Sequence, residues 1–207
     1  MKYSMKAFAY PLFLFCSMAF VTASARADEA GRQTLSEKAA SFSSNEIGVG
    51  SGYVWGALKQ KTGNLTVYPA FIHLGFNCNS LFGIKSHNKS MHLVLEPFYN
   101  LIDNPVTGYE TGCSVGLRFR HELSGPVDYY IEGSVGPMYL SVDTFEQGGK
   151  GFNFLDQIGV GIQCQLSENH AFYTGYRFRH ISHAGLVDRP NIGINSNAIV
   201  AGFTWFY

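Results

Sequence analysis

The sequence predicts an all-β fold, an eight-stranded antiparallel up-and-down transmembrane β-barrel. Three observations predict it. Beyond the amino-terminal region no apolar run is long enough to cross a membrane as a helix, and a chain that spans without helices must close its strands into a barrel to satisfy its backbone. Apolar residues alternate with polar or very small ones over stretches that match spanning strands of about 9 to 11 residues. The chain also ends on an alternating aromatic segment.

The amino-terminal region is read separately. Lys2 and Lys6 precede an apolar run from Ala7 to Val21, and Ala25-Arg26-Ala27 follows as a small-x-small cleavage pattern. That order is a secretory signal, so residues 1–27 are expected to be removed after Ala27. The run is about 15 residues, short of the roughly 20 that a spanning helix needs. The mature part, residues 28–207, shows one composition regime and is expected to be one barrel. Its first segment, Asp28 to Ser44, is polar without a clear period and receives no element.

Composition narrows the function classes. Without Lys2, Lys6 and Arg26, 12 basic residues remain against 15 acidic ones, a net charge near −3 that offers no footprint for nucleic acid. Cys78, Cys113 and Cys164 are odd in number and widely spaced, so neither a disulfide framework nor a zinc site is indicated. The 23 glycines and 15% aromatic residues suit a sheet of rings packed on close backbone.

The strands follow in order. From Tyr109 to Arg120 the odd positions are Tyr, Thr, Cys, Val, Leu and Phe, and the even ones Glu, Gly, Ser, Gly, Arg and Arg. One face suits lipid and the other a lumen. The same reading gives strands at roughly Asn45 to Leu58, Thr66 to Cys78, Met91 to Tyr99, Gly108 to His121, Val127 to Val142, Gly151 to Leu166, His170 to His183 and Ser196 to Tyr207. The last puts Ile199, Ala201, Phe203, Trp205 and Tyr207 on one face. Tight turns at 123–126 and 167–169 belong on the periplasmic side. Longer links are expected after the third, fifth and seventh strands, and the connection at 79–90 is long for a periplasmic turn. Eight strands enclose an interior that side chains fill, which disfavours a channel.

Strand seven carries the candidate chemistry. Arg177 and Arg179 share its odd face, and a lipid-facing Arg costs about 2 to 4 kcal/mol at mid-bilayer. They should therefore point inward, toward Glu96, Glu110 or Glu132. By period two, His180 and Ser182 then face outward at the surface end. There an imidazole can take the proton of an attacking hydroxyl. A phosphate-loop reading of Gly48-Val49-Gly50-Ser51-Gly52 fails because those glycines open a strand rather than a helix.

The stretch Arg177-Phe178-Arg179-His180-Ile181-Ser182-His183-Ala184-Gly185-Leu186, followed by Pro190-Asn191-Ile192-Gly193-Ile194-Asn195, resembles the signature of the PagL-type lipid A 3-O-deacylases. Glu96-Pro97-Phe98, Tyr109-Glu110-Thr111-Gly112 and Gly151-Phe152-Asn153-Phe154 with Gln157-Ile158-Gly159 are similar to strands of that family. The resemblance implies an esterase of the bacterial outer membrane that removes the 3-O-linked hydroxyacyl chain of lipid A, in lipopolysaccharide, without a metal or other cofactor. It implies Ser182 as nucleophile and His180 as general base. The Gly185 N–H and the Asn191 side chain are the implied oxyanion donors. Two positions depart from the family pattern. Asn195 stands where an acid, usually Glu, orients the histidine, and His183 stands where Asn usually follows the serine. An amide can hold the imidazole tautomer but brings no charge to imidazolium, so Asp188 in the same loop is a candidate substitute. The alternative reading is a non-catalytic barrel with a structural or surface-binding role. Assembly as a homodimer is left open by the sequence.

Overall fold

The computed structural model describes residues 44–59 and 63–207. The expected signal segment, and the segment before Ser44, lie outside the described residues. Those described form nine strands, β1 (Ser44–Ala57), β2 (Asn64–Tyr68), β3 (Ala70–Asn77), β4 (Lys89–Asn104), β5 (Gly108–Ser124), β6 (Val127–Leu140), β7 (Gly151–Ser167), β8 (His170–Ser182) and β9 (Ile194–Phe206), with one short helix, α1 (Asn79–Phe82), between β3 and β4. The strand pairings are antiparallel, and β9 returns to β1 from Glu46↔Phe206 to Trp55↔Asn197. The sheet is thus a closed ring of antiparallel strands, and closure removes the free edges that an open sheet would expose.

The expected second strand is two, split at Pro69. Proline has no N–H to give the ladder. The register runs on across the break, with Ser51↔Ala70 on one side and Val54↔Val67 on the other. Ser51 Oγ donates to the Pro69 carbonyl at 2.7 Å. Together β2 and β3 fill one place between β1 and β4, so nine strands occupy eight positions around the barrel.

Outward positions form an apolar belt. Ile47, Val49, Ile131, Ile158, Val160, Ile162 and Ile199 are all exposed, an amount of apolar surface that water-facing monomers rarely show. Aromatic rings border the belt at both ends. At the loop end Tyr99 stacks on Tyr109 at 5.4 Å, Tyr109 on Tyr139 at 6.1 Å and Tyr53 on Trp55 at 6.0 Å. At the end holding Ser44 and Phe206, Phe172 meets Phe203 and His170 meets Trp205. An apolar band between two aromatic girdles is the lipid-facing pattern of membrane barrels.

The lumen is filled. Arg177 and Arg179 point inward as expected: Arg177 holds Glu96 with two hydrogen bonds of 2.6 and 2.9 Å and Glu132 with one of 2.7 Å, and Arg179 reaches Glu110 at 2.5 Å. Arg118 adds two bonds to Glu132, and its guanidinium lies 4.4 Å from the Tyr130 ring centroid. Buried charges persist where each finds a partner. The loop end of the lumen departs from the polar lining expected. Val54, Leu65, Ile102, Leu140, Leu155, Ile181 and Ile194 pack there as an apolar core. Eight strands leave a bore narrow enough for side chains to fill, so this part of the interior can pack like an ordinary core.

The connections also differ in part. The tight turns at 125–126 and 168–169 are present. The link after the third barrel position is not long: β4 runs on to Asn104, leaving residues 105–107. The connection at 78–88 is long because it carries α1. The two substantial loops of the other end, 141–150 and 183–193, touch each other. Ile192 N–H donates to the Glu146 carbonyl at 2.7 Å, and Gln147 Nε2 to the Ile181 carbonyl at 3.1 Å.

Candidate active site

His180 and Ser182 lie on the outward face of β8. Their inward neighbours Arg179, Ile181 and His183 are almost wholly buried. Across the β8–β9 ladder His180 is paired with Asn195, and its Nδ1 lies 2.6 Å from Asn195 Oδ1. A carbonyl oxygen accepts only, so the proton of this bond belongs to Nδ1 and Nε2 keeps its lone pair. The neutral amide thereby holds the tautomer that a general base requires.

The ring is also held from the loop. Gly193 is in the left-handed region, φ 84°, and a Cβ at that position would fall 2.5 Å from His180 Cε1. Only glycine lets this backbone approach the imidazole so closely. Ser182 is the last residue of β8 and opposes Phe154 on β7. Among the described residues no hydrogen bond joins Ser182 Oγ to His180. The two share a face, two residues apart, as period two requires.

The loop 183–193 is fixed at several points. Asn191 Oδ1 accepts the His183 N–H at 3.1 Å, His183 Nε2 is 3.2 Å from the Pro190 carbonyl, and Arg189 donates to the carbonyls of Phe152, at 2.9 Å, and Lys150. Asn191 therefore spends its acceptor on the loop and keeps its Nδ2 donors. Gly185 is exposed at φ 76° after Ala184 at φ 53°. Its N–H donates to no protein group among the described residues. His183 is buried in the lumen, on the opposite side of the strand from His180. Asp188 is exposed in the loop and makes no ion pair with His180 among the described residues.

One residue of the site escaped the sequence reading. Asp156 on β7 is paired directly with His180, on the same outward face, so His180 sits between Asp156 and Asn195. Along β7 the outward positions are Phe152, Phe154, Asp156, Ile158, Val160 and Ile162. The period of that segment marked Asp156 as a carboxylate in an apolar stripe. Its place beside His180 depended on the register of two strands.

A search of curated proteins finds no relative of this chain by sequence. Solved structures give the fold. The crystal structure of Neisserial surface protein A superposes with a TM-score of 0.55 at 13% identity, covering 80% of this chain and 98% of that one. The crystal structure of the outer membrane enzyme PagL superposes at 0.54 with 18% identity, covering 76% of this chain and 97% of that one. The belt and the girdles are those of a membrane-spanning barrel, and its place is the bacterial outer membrane. The family model described as lipid A 3-O-deacylase (PagL) matches residues 43–204. That span contains the whole outward group of Asp156, His180, Ser182 and Asn195, and the chain belongs to the lipid A 3-O-deacylase family.

Proposed function

We propose that this protein hydrolyses the ester of the 3-O-linked hydroxyacyl chain of lipid A, with Ser182 as nucleophile and His180 as general base. The observation that carries the reading is the His180 Nδ1–Asn195 Oδ1 bond, which leaves Nε2 basic on a face shared with Ser182. The site lies within the loop-end aromatic girdle, at the level of headgroups and acyl esters, so substrate reaches it sideways from the membrane. In the first step Nε2 takes the Ser182 hydroxyl proton as Oγ bonds to the ester carbonyl carbon. The resulting oxyanion is held by the Gly185 N–H and Asn191 Nδ2, each such donor being worth about 3 to 4 kcal/mol. The bond to the sugar oxygen breaks and that oxygen takes the proton from imidazolium. Water then attacks acyl-Ser182 with His180 again as base, releasing the hydroxy fatty acid and restoring the serine.

Mass spectrometry of lipid A from cells expressing the wild-type chain or Ser182→Ala, with folding of both verified by heat-modifiable gel mobility, tests the reading. Loss of one hydroxyacyl mass that requires Ser182 is the expected result. Unchanged lipid A with both proteins folded would refute it. That result would favour a non-catalytic barrel, for which the neutral Asn195 in the acid's position is the supporting observation.

A further inference from the structure

A neutral amide at position 195 orients imidazole but leaves one task undone. When His180 takes the serine proton it becomes a cation that Asn195, Gly193, Phe178 and Ser182 carry no charge to balance. An uncompensated charge there raises the barrier by the cost of its desolvation. In a triad with a carboxylate, one residue supplies both orientation and charge. Here orientation comes from Asn195.

We propose that Asp156 supplies the charge: it stabilises protonated His180 from β7 while Asn195 orients the ring from β9, so two flanking strands divide the work of one triad acid. The inference rests on the proposed esterase reading and extends it to a positioning residue outside the signature stretch. Three observations carry it. Asp156 and His180 are directly paired in the β7–β8 ladder, an arrangement that brings Cβ atoms to about 4.5–5.5 Å. Both side chains lie on the outward face, where Asp156 is flanked along its strand by Phe154 and Ile158. A carboxylate placed among lipid-facing apolar residues works against stability, and the partner that makes sense of it is the one residue of the site that acquires positive charge.

The other neighbours of His180 do not duplicate this role. Asn195 faces it from β9, Gly193 from the loop, and Phe178 and Ser182 from its own strand, and none of them carries charge. Asp188 is exposed in the loop, and Arg189 is engaged by the carbonyls of Lys150 and Phe152. Arg177, Arg179 and His183 point into the lumen.

The test uses the full chain refolded in detergent, with lipopolysaccharide as substrate and release of 3-hydroxy fatty acid measured across pH. Asp156→Asn is nearly isosteric and removes a charge from the lipid face, so folding is not at risk. Its rate is expected to fall about 10- to 100-fold, the equivalent of one to two units of imidazolium stabilisation by a nearby opposite charge. The acid limb of its kcat/KM profile is expected to move to lower pH, because losing a carboxylate makes imidazolium less stable. Adding Asn195→Glu to Asp156→Asn is expected to restore the rate and return that limb upward. A merely structural role for Asp156 would lower the rate with the limb unmoved and no rescue from position 195. Wild-type rate and profile in Asp156→Asn would overturn the inference and leave the esterase standing. No release by the folded wild-type chain would overturn both.

Discussion

His180 and Asn195 are joined across the β8–β9 ladder by a 2.6 Å bond between Nδ1 and Oδ1, and the loop 183–193 between the two strands returns Gly193 against the same ring. The imidazole is thus held in its plane from the neighbouring strand and at its edge from the loop. Both restraints can be removed one at a time.

Asn195→Ala removes the acceptor and frees the ring to choose its tautomer. A hydrogen bond of this kind is worth about 1.5 to 3 kcal/mol when charge develops on one partner, so deacylation is expected to slow by about 10- to 100-fold. Hydroxy fatty acid release by the refolded variant measures it, and the loss is expected in kcat because the amide acts through the His180 ring.

Gly193→Ala drives a methyl group into His180 Cε1 and imposes a left-handed backbone on alanine, at about 1 kcal/mol. The barrel should fold normally, since the position lies in a loop. Displacing a catalytic group by about 1 Å can cost roughly 100-fold. Normal heat-modifiable mobility together with a rate loss of that order is the expected pair of results.

Arg177→Met leaves Glu96 facing an apolar side chain and strips one of the two arginine partners from Glu132. Breaking a buried pair from one side costs about 3 to 5 kcal/mol. Urea unfolding in lipid vesicles should show that loss, and Glu96→Gln added to Arg177→Met should recover part of it by removing the stranded charge.

Ile158→Arg places a cation on the outward face of β7, where Ile158 is 53% exposed. The expected cost is about 2 to 4 kcal/mol near mid-membrane, against about 0 to 1 kcal/mol for Leu123→Arg beside the 125–126 turn. Equal costs by vesicle unfolding would remove the bilayer from the account of the belt.

Much of this molecule was determined by local sequence. Period two is a property of a single strand, so the inward course of Arg177 and Arg179 and the outward course of His180 and Ser182 were legible before any neighbour was known. The glycine and proline turns at 125–126 were legible for the same local reason. The tertiary structure decided what depends on register. Which carboxylate meets which arginine, the pairing of Asp156 with His180, the use of Asn191 Oδ1 by the His183 N–H and the contact of Gly193 with the imidazole all join residues from different segments. Register is set by the sum of cross-strand packing and by ring closure between β1 and β9, and a slip of one residue would exchange the two faces of a strand. Sequence thus named the chemical groups and the side of the wall on which each one lies. Closure of the barrel decided which of them stand together.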